Sequence, residues 1–448
     1  MIKALALSTL LAGCTLYADI GSEPPTGDGT VQAALVPVLI TSDLDLLFVV
    51  DDSPGSVQLQ QALQTAFPSF LQTLGPPSDR LPNLHIGVVS NDLGTSAAND
   101  PAPGPAIGLL GQGGCQGNGK AGNLVTASGI TGTYISDVLI SNGRETNYTG
   151  TLSDAFASIS SLGGNGCGFE QPLLAAQRAL NNNPSNVGFL RELAPLAIVV
   201  VTNEDDCSLS HSVLMGTDTA TLGPLQSFRC TRFGVTCDDF GSSPDKMNTI
   251  GPKGRCHANP STQYLASVDN LAAFFKSLKH DPRNILFGAI VGVASSLEVE
   301  LRTPPGGGSA IPALAHACTW PAMMDAFDAA DPAIRITDLA SRFTRNRVQS
   351  VCGLDMTGAM TGLAREMRNM MARDACLARD IKIPAECTAT ETHGGGLETA
   401  LPACDGTQQF ECWRLVSDPV CPSQGLRLDI IRTQAPAPDV MTSLRCKI

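Results

Sequence analysis

A strand, a polar turn and the start of a helix are encoded in FVVDDSPGS, residues 48–56. The apolar run 44–50 is short and almost continuously hydrophobic, as in strands that are buried on both faces of a parallel sheet. Acidic, hydroxyl and turn-forming residues follow at once, and apolar residues spaced three and four apart over 57–74 predict a helix. The stretch therefore predicts the strand–turn–helix unit of an α/β fold.

The alternation of an apolar run with a helical pattern repeats along the chain. Three further apolar runs of strand length lie at 84–89, 196–202 and 285–291. Helical periodicity occurs between them, at 172–180 and 264–279. Strands that alternate with helices predict a doubly wound, mostly parallel sheet. Residues 133–140 are a candidate antiparallel edge strand of that sheet.

Two long stretches, 93–131 and 204–260, interrupt this alternation of strands and helices. The first is rich in Gly, Pro and Ala and contains Cys115. The second contains Cys207, Cys230, Cys237 and Cys256. Loops of such length are uncommon in compact domains unless they are functional or crosslinked, so we predict two insertions held by disulfides.

The C-terminal segment, residues 373–448, has weak hydrophobic periodicity and an even number of cysteines. They are Cys376, Cys387, Cys404, Cys412, Cys421 and Cys446. This composition predicts a small disulfide-rich module.

The motifs along the apolar runs resemble those of the von Willebrand factor type A domain. The turn from Asp51 to Ser56 resembles the D-x-S-x-S motif that follows the first strand of that domain. The segments 84–90, 196–203 and 284–290 resemble its second, fourth and fifth strands. The resemblance implies a Rossmann-like, doubly wound, mostly parallel sheet over residues 41–372.

Two cysteine-containing segments make the resemblance more specific. They are GCGFEQPL at 166–173 and NEDDCS at 203–208. Both resemble a cysteine-rich version of the type A domain that occurs in myxobacterial-type surface lipoproteins. The resemblance covers about residues 43–367, whereas the C-terminal segment matches only by its cysteines.

The family carries a metal-ion-dependent adhesion site at the carboxyl edge of the sheet. The residues of this chain that the resemblance assigns to such a site are Asp51, Ser53, Ser56, Glu170, Asn203 and Asp205. The pattern departs from that of the family in three ways. An extra residue precedes Ser56, no threonine stands near Glu170, and Asn203 replaces an acid.

These departures predict weak metal binding, with Ca²⁺ preferred over Mg²⁺. Ca²⁺ accepts more oxygen ligands at more varied angles than Mg²⁺, which requires near-ideal octahedral geometry. The alternative is that no metal binds. In that case Asp51 and Ser53 cap backbone amides at a helix start, and the neighbouring acids are solvated.

The first residues resemble the lipobox of bacterial lipoproteins. Lys3 precedes a short apolar run that ends in Leu11-Ala12-Gly13-Cys14. This pattern predicts a signal peptide over 1–13, lipidation of Cys14 and a flexible tether over 14–40. The protein is then held by lipid in a bacterial cell envelope, at the outer membrane or the cell surface. The alternative is an ordinary cleaved secretory signal.

Charge and cysteine content agree with an exported protein. A net charge of −13 and an aromatic content of 5% argue against a nucleic-acid partner. If Cys14 carries lipid, the remaining cysteines of the 15 form an even set. We predict the pairs Cys115–Cys167 and Cys318–Cys352. We also predict local pairing among the four cysteines of 204–260 and among the six of 373–448.

We therefore expect a non-catalytic, membrane-anchored lipoprotein that acts as a protein-binding, adhesion or scaffold module. The expected surface for its unidentified protein partner comprises residues 51–56, Glu170 and residues 203–206. The chain has neither a G-x-S-x-G nor an H-E-x-x-H motif. Two alternatives remain: an exported enzyme with catalytic residues in the long loops, and a structural envelope component with a vestigial type A domain.

Overall fold

The computed structural model describes residues 30–37, 43–75, 81–140, 143–192, 194–239, 244–279, 281–294, 296–304, 307–320, 329–371, 377, 380–393, 398–405, 411–417, 424–431 and 440–447. The predicted signal peptide 1–13 and Cys14 lie outside these ranges. The described chain forms two compact units, one within Ile40–Arg373 and one that combines residues before 40 with residues after 373.

The strands are β1 (Thr30–Pro37), β2 (Asp43–Val50), β3 (Asn83–Ser90), β4 (Ile135–Ile140), β5 (Gly143–Thr146), β6 (Leu196–Val201), β7 (Val235–Cys237), β8 (Gly251–Lys253), β9 (Cys256–Ala258), β10 (Ile285–Val291), β11 (Leu297–Arg302), β12 (Ile311–Leu314), β13 (Cys318–Thr319), β14 (Ala329–Ala330), β15 (Arg345–Ser350), β16 (Cys387–His393), β17 (Thr399–Leu401), β18 (Cys412–Ser417), β19 (Leu426–Ile431) and β20 (Val440–Lys447). The helices are α1 (Val57–Leu74), α2 (Leu152–Ser160), α3 (Pro172–Leu180), α4 (Thr219–Leu222), α5 (Phe228–Gly234), α6 (Pro244–Met247), α7 (Val268–Ser277), α8 (Ile334–Ser341) and α9 (Thr357–Met371).

A seven-stranded sheet with the order β15-β10-β6-β2-β3-β4-β5 forms the centre of the larger unit. The five strands from β15 to β3 are parallel, whereas β4 and β5 are antiparallel additions at one edge. The four apolar runs of the sequence are β2, β3, β6 and β10, and the candidate edge strand is β4. The predicted α/β fold with a mostly parallel sheet is therefore confirmed.

Strand β15 is absent from the sequence prediction. Its sequence, RNRVQS, has no apolar run, and its side chains are half-buried or exposed because the strand closes one edge of the sheet. Such a strand gives no local signal in the sequence, since only pairing with β10 recruits it.

The strands β2, β3, β6 and β10 end together at the carboxyl edge. Val50 lies opposite Ser90 of β3 and Val201 of β6, and Val201 lies opposite Ile290 of β10. The turns that follow these strands therefore begin side by side. In open parallel sheets this edge is where ligands bind.

Alternating side chains of β2 separate two hydrophobic cores. Leu46 and Phe48 belong to one core, which includes residues of α1, α2 and α9. Leu47 and Val49 belong to the other, which includes residues of α3, α7 and α8. Burial on both faces explains why the strand is almost uninterruptedly apolar.

Six disulfides join described cysteines. They are Cys115–Cys167, Cys207–Cys230, Cys237–Cys256, Cys318–Cys352, Cys387–Cys446 and Cys404–Cys412. The first and fourth are pairs that the sequence analysis named, and the four cysteines of 204–260 pair among themselves as expected. Cys376 and Cys421 lie outside the described residues. So many disulfides indicate an oxidising, extracytoplasmic compartment.

The smaller unit contains an antiparallel sheet with the order β1-β20-β16-β17 and a β18–β19 hairpin. Strand β1 pairs with β20 over its whole length, from Thr30 opposite Lys447 to Pro37 opposite Met441. The flexible tether predicted for 14–40 is therefore wrong over Thr30–Pro37. The prediction rested on the Pro- and Gly-rich composition nearer Cys14, and the partner strand is more than 400 residues away in sequence. In the described part of the chain, no helix is long and apolar enough to cross a membrane.

Candidate functional site

Asp51 is the first residue after β2 and is almost completely buried, with 1% exposure. Its Oδ1 accepts a hydrogen bond from the backbone N–H of Ser53 at 2.8 Å. Its Oδ2 accepts one from the hydroxyl of Thr202, which follows β6, at 2.6 Å. The carboxylate thus ties the turn after β2 to the neighbouring strand.

Ser56 is held by hydrogen bonds within the turn and from α1. Gly55 adopts a φ of 94°, which only glycine adopts easily. The hydroxyl of Ser56 donates to the carbonyl of Ser53 at 2.8 Å. The side-chain amide of buried Gln60 in α1 donates to the carbonyls of Asp51 and Gly163, both at 2.7 Å, and to the hydroxyl of Ser56 at 3.2 Å. The hydroxyl of Ser56 therefore links the turn to α1.

Glu170 brings a second acid to the turn. It is 1% exposed and lies next to the hydroxyl of Ser53 and the carboxyl groups of Glu204 and Asp51. Burial, followed by the negative charges of Glu204 and Asp51, raises the pKa of Glu170 well above its usual range. We call Asp51, Ser53, Glu170 and Glu204 the acidic cluster.

Glu204 stands on the loop after β6. Burial, followed by the charges of Asp331 and Asp51, raises the pKa of Glu204, while Glu170 and Ser227 lower it through hydrogen bonds. Two adjacent carboxyl groups with raised pKa values do not both carry a full charge at neutral pH. A cation in the acidic cluster would have to displace a proton.

Two residues that the resemblance assigned to the metal site have other roles. The carboxylate of Asp205 accepts hydrogen bonds from the backbone N–H groups of Arg335, at 2.9 and 3.0 Å, and Ile336, at 3.2 Å. It therefore caps α8. The side-chain N–H of Asn203 donates to the carbonyl of Ala329 at 3.0 Å. The assignment of Asp205 as a metal ligand is wrong, because the start of a helix distant in sequence uses both of its oxygens.

The resemblance thus identified three members of the acidic cluster, namely Asp51, Ser53 and Glu170. Glu204 was expected only as part of the partner surface 203–206, and the nearby Thr202 was missed. The sequence did contain a signal for Thr202, since it follows directly after β6 at the carboxyl edge. What it could not show is which neighbour turns toward Asp51.

Several buried polar atoms at this edge have no hydrogen-bond partner among the described residues. They are Oε1 of Glu170, Oδ1 of Asp52, Oδ1 of Asn203, and both amide atoms of Asn91. Such atoms are rare in proteins and usually indicate a water or an ion. Burial also raises the pKa of Asp52 to about 7, against a lowering hydrogen bond from Ser90. The edge is therefore polar, buried and incompletely satisfied.

Within the described ranges, no group of three or more His, Cys, Asp or Glu side chains is placed to hold one metal ion. The three acids of the predicted six-residue site, Asp51, Glu170 and Asp205, therefore do not form such a group. The unpartnered Oε1 of Glu170 beside Asp51 and Glu204 nevertheless provides oxygen donors that a hard cation could draw together.

Residues 163–168, which we call the strap, cover the turn after β2. The N–H of Gly166 donates to the carbonyl of Asp52 at 2.6 Å, and the N–H of Gly168 donates to Gly113 at 3.0 Å. The Cys115–Cys167 disulfide fixes the strap to the first insertion. A Cβ on Gly166 would lie 2.3 Å from Oδ1 of Asp52, so only glycine permits this close approach.

The histidines whose side chains the structure describes form hydrogen bonds with backbone carbonyls or aspartates and not with a serine, threonine or cysteine side chain, as a catalytic base would; they are His85, His211, His257 and His316. The closest arrangement is His211 with Asp100 at 2.7 Å, but the hydroxyl of Ser212 donates to Asp100 at 2.6 Å and not to the imidazole. The order of contacts is therefore not that of a serine triad.

Comparisons with known proteins give little beyond this geometry. No family model matches the chain, and no curated protein matches it. Similar solved structures include the pilus adhesin SpaC from Lactobacillus rhamnosus GG, with 10% identity and a TM-score of 0.30, covering 91% of this chain and 39% of that one. A human COPII-coat protein has 9% identity and a TM-score of 0.30, with coverage of 94% and 41%. The type V pili tip protein Mfa5 from Porphyromonas gingivalis has 11% identity and a TM-score of 0.30, with coverage of 93% and 63%. The chain thus spans less than two thirds of each of these chains.

Proposed function

We propose that the protein is a lipid-anchored, non-catalytic binding module of the type A class, and that its carboxyl edge is the surface that contacts a protein partner. One observation carries this proposal. A buried acidic cluster with an unpartnered Glu170 oxygen lies at the edge where open α/β sheets bind ligands, and disulfide-linked loops surround it.

The proposal includes weak binding of Ca²⁺ by the acidic cluster. Asp51, Glu170 and Glu204 would supply carboxylate oxygens, and Ser53 would supply a hydroxyl. Ca²⁺ fits better than Mg²⁺ because the ligands are not preorganised in octahedral geometry. The raised pKa values of Glu170 and Glu204 oppose binding, because a carboxyl group must lose its proton before it can bind a cation, which is a further reason for low affinity.

We expect the melting temperature of the purified protein to rise with Ca²⁺ concentration, and to respond more weakly to Mg²⁺. Above the dissociation constant, each tenfold increase in Ca²⁺ adds about 1.4 kcal/mol of stability by mass action. Asp51→Ala should abolish the response, and Glu170→Gln, which keeps the side-chain shape, should reduce it. Differential scanning calorimetry over a Ca²⁺ series measures both effects.

The control for this experiment is Asp205→Asn. It weakens the cap of α8 and lowers the melting temperature, but it should leave the response to Ca²⁺ intact. A response that survives Asp51→Ala, or the absence of any response at millimolar Ca²⁺, would show that the edge holds no ion. In that case the second candidate function applies, which is a structural envelope component with a vestigial site. The position of the acidic cluster beneath the strap favours this second candidate.

The lipid anchor has its own test. Cys14→Ser should abolish incorporation of radiolabelled palmitate and leave the unprocessed precursor, because the thiol of Cys14 is the proposed acylation site. Gel mobility and autoradiography of cells expressing the two forms report the result. Palmitate labelling of the serine variant would refute the anchor without affecting the proposal for the carboxyl edge.

A further inference from the structure

A short hairpin over residues 107–115 lies at the carboxyl edge, and we call it the edge hairpin. Ile107 and Cys115 exchange two backbone hydrogen bonds, of 2.9 and 2.8 Å. The N–H of Gly114 donates to the carbonyl of Leu109 at 3.0 Å, which closes the turn. The Cys115–Cys167 disulfide joins the base of the hairpin to the strap. The edge hairpin is therefore a fixed structure and not a loose loop.

Two adjacent leucines form the tip of the edge hairpin. Leu109 is 68% exposed and Leu110 is 59% exposed, while Ile107 at the base packs against a buried cluster that includes Cys115 and Phe169. Burying a leucine that is exposed to water stabilises a complex by about 1.5–3 kcal/mol. A rigid tip that holds two of them in solvent is ready to bind without loss of loop entropy.

The sequence on both sides of the tip is uncharged. Residues 101–119 contain no Asp, Glu, Lys, Arg or His, although the protein carries a net charge of −13. An anchor that enters an apolar pocket must bring no unpaired charge with it, since desolvating a charge costs several kcal/mol. The absence of charge around Leu109 and Leu110 matches that requirement.

We propose that Leu109 and Leu110 are the anchor residues with which the carboxyl edge docks into an apolar pocket of a partner protein. This inference rests on the proposed function and specifies the chemistry of the partner: a concave, uncharged, hydrophobic pocket that receives two leucine side chains. In protein interfaces a few well-packed residues contribute most of the affinity, so two adjacent side chains are enough to carry such a contact.

A lipid surface is a poorer occupant for the tip than a protein pocket. Peripheral insertion into membranes combines apolar residues with several Lys or Arg residues that contact anionic headgroups. The edge hairpin has none, and the first basic residue after it is Lys120.

The test uses the full chain with the photo-crosslinking residue p-benzoylphenylalanine at position 110 or at position 301, irradiated with a cell-envelope fraction. The protein crosslinked at position 110 is identified by mass spectrometry, purified, and titrated by calorimetry against wild type, Leu109→Ser, Leu110→Ser and Leu301→Ser. Leu301 is the matched control, because it is also 59% exposed but lies on β11, outside the seven-stranded sheet.

We expect Leu109→Ser and Leu110→Ser each to raise the Kd about tenfold, which corresponds to about 1.4 kcal/mol. Leu301→Ser should leave the Kd unchanged, and melting temperatures should show that all variants are folded. Equal Kd values for all variants, or equal capture from positions 110 and 301, would overturn the inference. Leucine-dependent binding to phosphatidylethanolamine–phosphatidylglycerol vesicles, leucine-dependent self-association, or no capture at position 110 would do the same.

Asp51→Ala in the same titration separates this inference from the proposed function. Binding that falls in Asp51→Ala but not in the leucine variants would refute the leucine anchors alone. Binding that no variant at the carboxyl edge alters would refute the proposed function as well.

Discussion

Replacing Arg335 by methionine is expected to lower the free energy of unfolding of the larger unit by about 3–5 kcal/mol. Arg335 and Asp206 are both fully buried, and the guanidinium contacts the carboxylate through two nitrogens at 3.0 and 3.1 Å. The guanidinium also donates to the carbonyl of Ala266 at 2.8 Å. Methionine keeps most of the side-chain volume but leaves the Asp206 carboxylate buried without its counter-charge.

The double variant Arg335→Met/Asp206→Leu is the control, because it removes both charges. It should be clearly more stable than Arg335→Met alone, since no unpaired charge remains. Guanidinium unfolding with the disulfides intact, followed by fluorescence in a Trp413→Phe background, measures the effect, because Trp320 is then the one tryptophan of the chain and is buried in the larger unit. Equal stability of the single and double variants would contradict the buried-charge argument.

Phe67→Ala is expected to lower the free energy of unfolding by about 3–5 kcal/mol, as much as Arg335→Met but for a different reason. Phe67 of α1 is completely buried, and its ring centroid lies 3.8 Å from that of Phe156 in α2 and 5.5 Å from that of Phe70. Alanine would leave a cavity between two helices and the sheet, and the surrounding side chains can fill it only in part.

Phe67→Leu provides the comparison, because it keeps the site apolar and changes its volume much less. We expect it to cost about 1–1.5 kcal/mol. The same tryptophan fluorescence reports both variants. If alanine and leucine proved equally destabilising, the loss would come from the aromatic contact and not from the cavity.

The sequence predicted those strands that are buried in the sheet, because burial requires an apolar run in the strand itself. Strands β2, β3, β6 and β10 lie in the centre of the sheet, so each shows an apolar run. Strand β15 is recruited by pairing at the sheet edge, and β1 is recruited by a strand at the other end of the chain. The sequence of β15, RNRVQS, contains no apolar run. That of β1, TVQAALVP, does contain one, but the composition of the segment that precedes it led to the prediction of a tether.

The residues of the candidate site also differ in how far the sequence could predict them. Asp51 and Ser53 lie at the carboxyl edge because they follow β2 directly, which the strand pattern already implies. Glu170 lies on the loop between α2 and α3, and only the resemblance pointed to it. The shorter hydrogen bonds of the Ser56 hydroxyl are local, whereas those of Asp205 come from a helix that is distant in sequence, which the pattern around Asp205 does not indicate. The carbonyl of Ser53 and Gln60 hold the first, and the N-terminus of α8 holds the second.

The pairing of β1 with β20 imposes an order on biosynthesis. Thr30–Pro37 is translated before the strands of the seven-stranded sheet, whereas Val440–Lys447 is translated after all of them. Until then β1 has an unpaired backbone edge, which is a site for chaperone binding or aggregation. The smaller unit can therefore mature only after translation has passed residue 447, and a chain stopped earlier would carry an exposed strand that quality-control proteases could recognise.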